Sequence, residues 1–368
     1  MDRLLLAGMV LMGTTVASAL LVPLTRLAGR RLGIMDAPGE RKVHQIPTAR
    51  TGGWAVLLTF LGAVMVGVWV GPSLEMSPAL QAQVGGALAM LKEAYRVETK
   101  LVALFVGCII AFSVGLADDV LGTRFPVALK LIGQVTAASV LVAADVKTSI
   151  MPYDWMNVVL TILWLVGITN AFNLLDNMDG LSGGVAFLAA FILLVNAWRL
   201  DEYFVSLILL AFMGSLLGFL FFNFQPASVF LGDCGSHLIG FALGAMTLLE
   251  RYVSHASGSL FPVLMPAIVL AVPIVDSASV IIIRLREGRP IYVGDSRHLS
   301  HTLVALGFSQ RGAVLFLYLV TLSLGLGAVS LSDANLQQSL LILVQTAGFV
   351  AVTLILMYKR AGRSQETA

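Results

Sequence analysis

The sequence predicts an all-α polytopic membrane protein of about 11 transmembrane helices, with the N-terminus outside and the C-terminus in the cytoplasm. Of its 368 residues, 58% are hydrophobic and only 12% are charged, whereas a soluble domain carries about 25% charged residues. The apolar residues form long runs of the length that crosses a bilayer. The loops between these runs alternate between rich and poor in Lys and Arg, which indicates the orientation.

A bilayer core requires about 20 apolar residues per helix, and eleven stretches reach or approach this length. The first lacks a small-residue cleavage site, so we expect a retained span and not a signal peptide. The short connections predict one membrane domain over 1–360 and a short cytoplasmic tail over 361–368, and the longer segment 73–100 can hold an amphipathic helix outside. The predicted spans are 3–24, 54–71, 101–117, 127–144, 156–172, 181–198, 203–222, 236–250, 260–283, 313–331 and 337–357.

The distribution of Lys and Arg sets the predicted orientation. With the N-terminus outside, the inner loops and the tail collect 16 of the 23 basic residues, as the positive-inside rule requires. Four loops and one helix end that are rich in polar residues then face the cytoplasm. They cover 25–53, 118–130, 170–180, 223–236 and 284–312.

The segment 170–180 is the most informative of these. Polar groups left unpaired in hydrocarbon cost several kcal/mol each, so a polar cluster at the mouth of membrane helices indicates a bound ligand or cation. Asn170, Asn173 and Asp176 recur every third residue and share a helical face; their oxygens suit Mg²⁺ that also binds phosphate. The alternative is a polar contact between helices, which five such groups in this short segment disfavour. The five are Asn170, Asn173, Asp176, Asn177 and Asp179.

Asp118 and Asp119 end the third predicted span. Adjacent helical residues point about 100° apart, so both cannot face one ligand equally. We expect one to meet a substrate or metal, suited to accept a proton, while the other holds a basic neighbour. The alternative is that the pair caps a loop or is solvated.

Asp233 stands between glycines immediately before the eighth predicted span. It is a candidate metal ligand, and the amides of Gly235 and Ser236 at the helix start would suit a phosphate. The alternative is a helix N-cap, and the two roles are compatible.

The loop 284–312 combines Arg289, Asp295, His298 and His301 with further arginines. Arginine binds phosphates through two hydrogen bonds, and histidine can donate to a phosphate or act as acid or base. Part of the basicity reflects the positive-inside rule. A transition-metal site at His298 and His301 is a minor alternative.

Taken in order, these motifs resemble those of the polyprenyl-phosphate N-acetylhexosamine-1-phosphate transferases (glycosyltransferase family 4), most of all the undecaprenyl-phosphate N-acetylglucosamine-1-phosphate transferases. The resemblance covers roughly residues 1–360. It is carried by Gly115-Leu-Ala-Asp118-Asp119 with Lys130, Asn170-Ala-Phe-Asn173-Leu-Leu-Asp176-Asn-Met-Asp179-Gly180, Gly232-Asp233-Cys-Gly-Ser236 and Asp295-Ser-Arg-His298-Leu-Ser-His301.

The resemblance implies transfer of N-acetylglucosamine-1-phosphate, or a related sugar phosphate, from a UDP-sugar to undecaprenyl phosphate at the cytoplasmic face of a bacterial inner membrane. This releases UMP and is a first membrane step of cell-envelope polysaccharide synthesis. It implies Mg²⁺ as cofactor, with Mn²⁺ as an alternative, and no nucleic-acid partner. It is compatible with a homodimer, although no residue predicts one. The implied roles are catalysis by Asp118 and Asp119, metal binding by Asn173 and Asp233, and nucleotide-sugar binding by Asp176, Asp179, Lys130, Arg289, His298 and His301.

Within the family, the pattern of the 36–53 loop is similar to the N-acetylglucosamine-type enzymes and unlike the phospho-MurNAc-pentapeptide translocase, which is the first alternative. Two residues depart from the family pattern. Ser300 replaces the middle histidine of the segment His298-Leu-Ser-His301, which we term the His loop, and Asn177 stands where many relatives have glycine. The alternative from another class is a cation-coupled transporter. A transporter predicts polar groups near mid-span, whereas these groups lie at span ends, and no inverted pair of broken segments is evident.

Overall fold

The protein is almost entirely helical. The computed structural model describes residues 2–36, 47–74, 98–252, 261–290 and 297–366. Short 3₁₀ turns cover Gly122–Arg124, Phe261–Leu264 and Ser330–Ser332. In chain order the other elements are α1 (Asp2–Leu32), β1 (Met35–Asp36), β2 (Thr48–Ala49), α2 (Gly52–Leu74), α3 (Glu98–Leu121), α4 (Val127–Ala143), α5 (Asp154–Leu175), α6 (Leu181–Arg199), α7 (Tyr203–Asn223), α8 (Gly232–Leu249), α9 (Met265–Val269), α10 (Ala271–Arg286), α11 (Leu299–Ala305), α12 (Gln310–Val329) and α13 (Leu336–Glu366).

Helices occupy all eleven predicted spans, as far as these lie within the described residues. Seven helices are long and apolar enough to cross a membrane, and the bent pair α9–α10 would make an eighth. The apolar parts of α2 and α4, Gly52–Gly67 and Val127–Ala143, are shorter. A polytopic membrane protein is therefore the class of fold, while the total of eleven spans and the orientation stay predictions.

Helix α8 forms the centre of the bundle. Only Asp233, Leu248 and Leu249 of α8 escape full burial, because α3 and α5 pack along it. Small residues allow this close packing: a Cβ on Gly240 would lie 2.7 Å from the backbone of Thr169 in α5. Helix α1 packs along α7 at the periphery, and α13 is only 11% buried over its apolar window. The outer helices thus present apolar faces, as a lipid-facing surface requires.

The structure corrects one predicted span and adds detail to the predicted tail. The ninth predicted span is not one straight helix, because the pair Phe261–Val269 and Ala271–Arg286 is bent by 71°. The predicted tail continues α13 as helix through Glu366. Most of the predicted amphipathic segment, residues 75–97, lies outside the described residues.

A two-stranded antiparallel pairing, Met35 with Ala49 and Asp36 with Thr48, places the loop after α1 against the start of α2. Arg50 follows β2 directly, and its guanidinium lies beside the end of α3, 3.7 Å from Asp119. Within the described residues, the polar motifs around Arg50, Asp118, Asn173 and Asp233 gather where α3, α5 and α7 end and α4, α6 and α8 begin.

Candidate active site

Asp118 and Asp119 have different surroundings at the end of α3. Asp118 lies 2.7 Å from Lys130 Nζ, and 18% of its side chain is exposed. Asp119 is completely buried, and its two oxygens accept hydrogen bonds from the backbone N–H groups of Asp233 and Cys234 at 3.0 and 2.9 Å. Asp119 thus caps the start of α8, where a negative charge is favourable. Asp118 is the carboxylate of the pair that solvent can reach.

Glycines allow α3 to approach α8 closely enough for this cap. A Cβ on Gly115 would lie 2.2 Å from the carbonyl oxygen of Asp233. Gly232 adopts a φ of +78°, which other residues rarely do. The Gly-Asp motif before α8 therefore builds a tight junction that Asp119 closes, and the first α8 amides bind a carboxylate of the chain itself.

A continuous hydrogen-bonded chain links four of the predicted site residues. Lys130 Nζ, paired with Asp118, also donates to Asn173 Oδ1 at 3.2 Å. Asn173 Nδ2 donates to Asp233 Oδ1 at 2.7 Å and to Ser236 Oγ at 3.0 Å. Side chains from α3, α4, α5 and α8 thus form one polar network, in which Ser236 is an additional member.

Asp176 and Asp179 border this network on the segment after α5. Burial, followed by the charges of Asp233 and Asp119, raises the pKa of Asp176 well above its usual value, and Arg50 opposes the shift. Asp179 Oδ2 accepts a hydrogen bond from the backbone N–H of Ala227 at 2.9 Å, which ties the segment to the loop before α8. Asp176 therefore faces the carboxylates of the network, while Asp179 holds a neighbouring loop.

Arg50 is a site residue that the sequence analysis counted only as an inner-loop charge. Its guanidinium lies 2.7 Å from Asp36 and 3.7 Å from Asp119. The position of Arg50 directly before Thr-Gly-Gly at the start of α2 was the available signal, because such glycines permit close approach to another element.

Asn170, by contrast, belongs to a contact between helices. Its amide exchanges two hydrogen bonds with the buried amide of Gln134 in α4, at 2.7 and 3.3 Å. For Asn170, the structure therefore supports the alternative interpretation of the 170–180 segment, a polar contact between helices.

The His loop docks against the same end of the bundle. His298 is buried, and its Nδ1 lies 2.7 Å from Asp276 Oδ2 of α10. Ser300 Oγ donates to Asn177 Oδ1 at 2.6 Å, so the two residues that depart from the family pattern contact each other. His301 lies on the first turn of α11 and is partly buried. Asp276 escaped the sequence analysis, although a lone acid inside an apolar run is a signal of function.

Arg289 is largely exposed and lies beside an acid of its own loop. It lies after α10 with 68% of its side chain exposed, and its Nε is 3.4 Å from Glu287. Asp295 and residues 37–46 of the 36–53 loop lie outside the described residues.

The donor set suits a divalent metal of the Mg²⁺ type. Within the described part of the chain, no three His, Cys, Asp or Glu side chains form a group with metal-binding geometry. Asn173, however, donates directly to Asp233, and the charge of Asp233 acts on partly buried Asp176. Carboxylate and amide oxygens are the ligands that Mg²⁺ prefers, together with substrate phosphates and water. Asp233, Asp176 and Asn173 are thus the residues that fit such an ion.

A bundle of apolar helices with a partly buried acidic and amide network at one common end defines a polytopic membrane protein with a polar site at its helix ends. The family model described as Glycosyl transferase family 4 matches residues 101–250, which hold Asp118, Asp119, Lys130, Asn173 and Asp233. The matched region is the central part of the bundle, α3 to α8.

Curated relatives match far more of the chain. A Bacillus subtilis protein named "Probable undecaprenyl-phosphate N-acetylglucosaminyl 1-phosphate transferase" is 32% identical over 88% of this chain and 84% of its own. A Mycobacterium tuberculosis decaprenyl-phosphate N-acetylglucosaminephosphotransferase is 32% identical over 83% of this chain and 77% of its own. The chain therefore belongs to glycosyl transferase family 4.

A third kind of relative matches locally. A phospho-N-acetylmuramoyl-pentapeptide-transferase of Levilactobacillus brevis is 45% identical, but over only 26% of this chain and 29% of its own. Its likeness is confined to a short part of the chain, whereas the likeness to the N-acetylglucosamine group extends over most of it.

Proposed function

We propose that this protein transfers N-acetylglucosamine-1-phosphate from UDP-N-acetylglucosamine to a polyprenyl phosphate, giving a polyprenyl diphosphate sugar and UMP. The observation that carries the proposal is the pair of relatives with this kind of name, at 32% identity over more than four fifths of the chain. The position of the polar network at the helix ends supports it. A lipid acceptor keeps its chain in the bilayer while its phosphate reaches that end, where a soluble nucleotide sugar also arrives.

The reaction is a phosphoryl transfer. An oxygen of the lipid phosphate forms a bond to the phosphorus that carries the sugar, and the bond from that phosphorus to the UMP oxygen breaks. Charge spreads over the phosphate oxygens in such transfers, so positioning and charge neutralisation are the main tasks of the protein.

Lys130 and Asp118 are suited to the acceptor side of this reaction. Lys130 is partly exposed and lies between Asp118 and Asn173, so its ammonium can bind a phosphate oxygen and neutralise its charge. Asp118 orients Lys130 and can accept a proton from the lipid phosphate. Asp119 binds the backbone amides at the start of α8 and so fixes the position of Asp233 relative to α3.

Mg²⁺ is the cofactor that this donor set fits, held by Asp233 and Asn173 with Asp176 beside them. When bound, it neutralises charge on the diphosphate as bonds change. The side chains themselves provide the pre-formed acidic pocket: Asn173 orients Asp233, and Asp179 secures the segment that carries Asp176.

The cytoplasmic face of a bacterial inner membrane is the proposed location. The excess of Lys and Arg in the loops on the site end supports this orientation. His298 of the His loop and its partner Asp276 of α10 are proposed to lie on the nucleotide-sugar side, because that loop docks on the 176–180 segment through Ser300 and Asn177.

The test is UMP release by purified, detergent-solubilised full-length protein with UDP-N-acetylglucosamine and undecaprenyl phosphate, with Mg²⁺ and after chelation. We expect UMP and a new diphosphate lipid in equal amounts, only with metal present. UMP without the lipid product would indicate hydrolysis and would contradict the proposal.

The local match to a muramoyl-pentapeptide transferase makes UDP-MurNAc-pentapeptide the informative second donor. Activity with that donor alone would keep the reaction type and replace the proposed sugar. No turnover of any UDP-sugar by protein with a cooperative melting transition would refute the proposal.

A further inference from the structure

The orientation of the His298 ring is set by a residue on another helix. His298 precedes α11, and its Nδ1 lies 2.7 Å from Oδ2 of Asp276 in α10. The exposed fractions of the two side chains are 4% and 1%. The contact is therefore shielded from water, where a hydrogen bond to a charged group is stronger than at the surface.

The second oxygen of Asp276 shows that it acts as a hydrogen-bond acceptor. Asp276 Oδ1 accepts the backbone N–H of Leu299 at 2.6 Å, so one carboxylate holds both the His298 ring and the chain directly after it. An ionised carboxylate only accepts, so Nδ1 of His298 carries the proton in this contact. The opposite nitrogen, Nε2, has no hydrogen-bond partner among the described residues.

Two further hydrogen bonds tie the neighbours of Asp276 and His298 to the end of α5, which carries part of the polar network. Ser277, next to Asp276, donates to the carbonyl of Ala171 at 3.4 Å, two residues before Asn173. Ser300, two residues after His298, donates to Asn177 at 2.6 Å. Both neighbours of the pair are thus bonded to the segment that carries the predicted metal and nucleotide ligands.

We propose that Asp276 is a positioning residue for the transfer reaction. It fixes the tautomer of His298 with the proton on Nδ1, which leaves Nε2 as the nitrogen that meets the substrate. The proposal rests on the function proposed above. A neutral imidazole in this tautomer accepts a proton or hydrogen bond at Nε2, and the protonated ring donates one there to a phosphate oxygen. The carboxylate partner stabilises the ring in both forms, as in other Asp–His pairs.

A double-mutant cycle with Asp276→Asn and His298→Gln tests the proposal. An asparagine keeps an oxygen for the Leu299 N–H but presents an N–H to Nδ1, so it favours the wrong tautomer. Gln at position 298 keeps a polar group near the position of Nε2 and has no tautomer to fix. We expect Asp276→Asn to lower kcat of UMP release about 10²-fold, with KM for the UDP-sugar changed by less than about threefold. In the His298→Gln background we expect no further loss.

Ser279→Ala is the matched control, because buried Ser279 lies on the same helix and bonds only within it, to Val275. It should retain wild-type kcat. If Asp276→Asn lowered kcat by the same factor in the wild type and in the His298→Gln variant, the inference would be overturned. A merely structural Asp276 would matter without His298 as well. If wild type fails to release UMP with any polyprenyl phosphate, it is the proposed function that fails.

Histidine nitrogen NMR tests the tautomer without reference to activity. The chain has only five histidines, so ¹⁵N-histidine labelling with His298→Gln assigns the signal of His298. We expect the proton on Nδ1 in the wild type and on Nε2 in Asp276→Asn. An Nε2-protonated neutral ring in the wild type would overturn the inference even if the protein turned over no substrate.

Discussion

The two ends of the helix bundle use the same residue types in opposite ways. At the end where α3 and α5 finish, which we term the site end, Asp119, Asp176 and Asp233 act on one another, and Arg50 is the cation that opposes their effect on Asp176. At the far end, where α4, α6 and α8 finish, two acids are paired with cations: Lys147 lies 2.6 Å from Asp154, and Arg251 2.6 Å from Glu202. Buried Glu250 is an exception there, since its side chain is held by the amide of Asn196.

The comparison teaches that the balance of charge, and not the number of charged residues, marks the site. The far end even encloses a cavity of about 380 Å³, lined by Lys147, Glu202 and Arg251 among others. Its acids already have protein partners. At the site end, by contrast, the charges of Asp233 and Asp119 raise the pKa of Asp176, and carboxylates held close together are costly unless a cation or a cationic substrate complex is bound.

Asp233→Asn should give the largest effect and test the comparison most directly. We expect UMP release to fall at least about 10³-fold, because one carboxylate of the proposed metal site is lost and charge neutralisation dominates phosphoryl transfer. The far-end control is Asp154→Asn, which removes a 70% exposed acid and should leave activity within about twofold, as exposed ion pairs contribute little. Comparable losses for the two variants would contradict the distinction between the ends.

The lysines form a second matched pair. Lys130→Met should lower kcat/KM for undecaprenyl phosphate about 10²-fold, because a neutral side chain cannot neutralise a phosphate oxygen and leaves Asp118 without its partner. Lys147→Met, which also removes a partner of two acids, should change kcat/KM by less than about twofold. Steady-state kinetics of UMP release with varied lipid distinguishes them, and an unchanged Lys130→Met would remove Lys130 from the site.

Asp119→Asn and Asp118→Asn should differ in their effect on the melting temperature, although the two acids are adjacent. An asparagine has one acceptor oxygen in place of the two that bind the α8 amides, and an unsatisfied buried group costs about 1–3 kcal/mol. We expect Asp119→Asn to lower the melting temperature in detergent by several degrees and activity with it, whereas Asp118→Asn should lower activity with little change in melting. Equal melting temperatures for both variants would argue against Asp119 as the cap of α8.

Glu250 at the far end should give the smallest effect, visible only in stability. Burial is the main cause that raises the pKa of Glu250 well above its usual 4.5; the charge of Glu202 adds to the shift, and the Asn196 hydrogen bond opposes it. A carboxylic acid with a raised folded-state pKa contributes its stability fully below about pH 4.5 and loses it as the pH rises through the raised value.

Glu250→Gln should therefore melt a few degrees higher than the wild type at pH 8 and converge with it toward pH 5, with unchanged UMP release. Melting curves at both pH values test this. A variant that melts lower than the wild type at pH 8 would contradict the assigned cause.

The amino-acid sequence by itself determined the helical membrane fold and the polar motifs that the structure brings to one end of the bundle. Long apolar runs specify helices locally, because a backbone in lipid must satisfy its hydrogen bonds within the helix. The breaks between runs then expose the polar motifs, so Asp118, Asn173 and Asp233 could be assigned to one end from the order of the spans. The bend of 71° between α9 and α10 escaped prediction, because the apolar run continues through it.

Only the tertiary structure decided which groups each of these residues contacts. Asp118 and Asp119 are neighbours of the same type, and their roles diverge because Asp119 meets amides 114 positions away in the chain. Asp276 could not be recognised as a candidate site residue until α10 placed it against His298. Arg289 stays a prediction, with 68% of its side chain exposed. Hydrophobic patterns repeat over a few residues and can be read locally. Hydrogen-bond partners are chosen across the bundle, by whichever groups the packing of helices brings within 3 Å of each other.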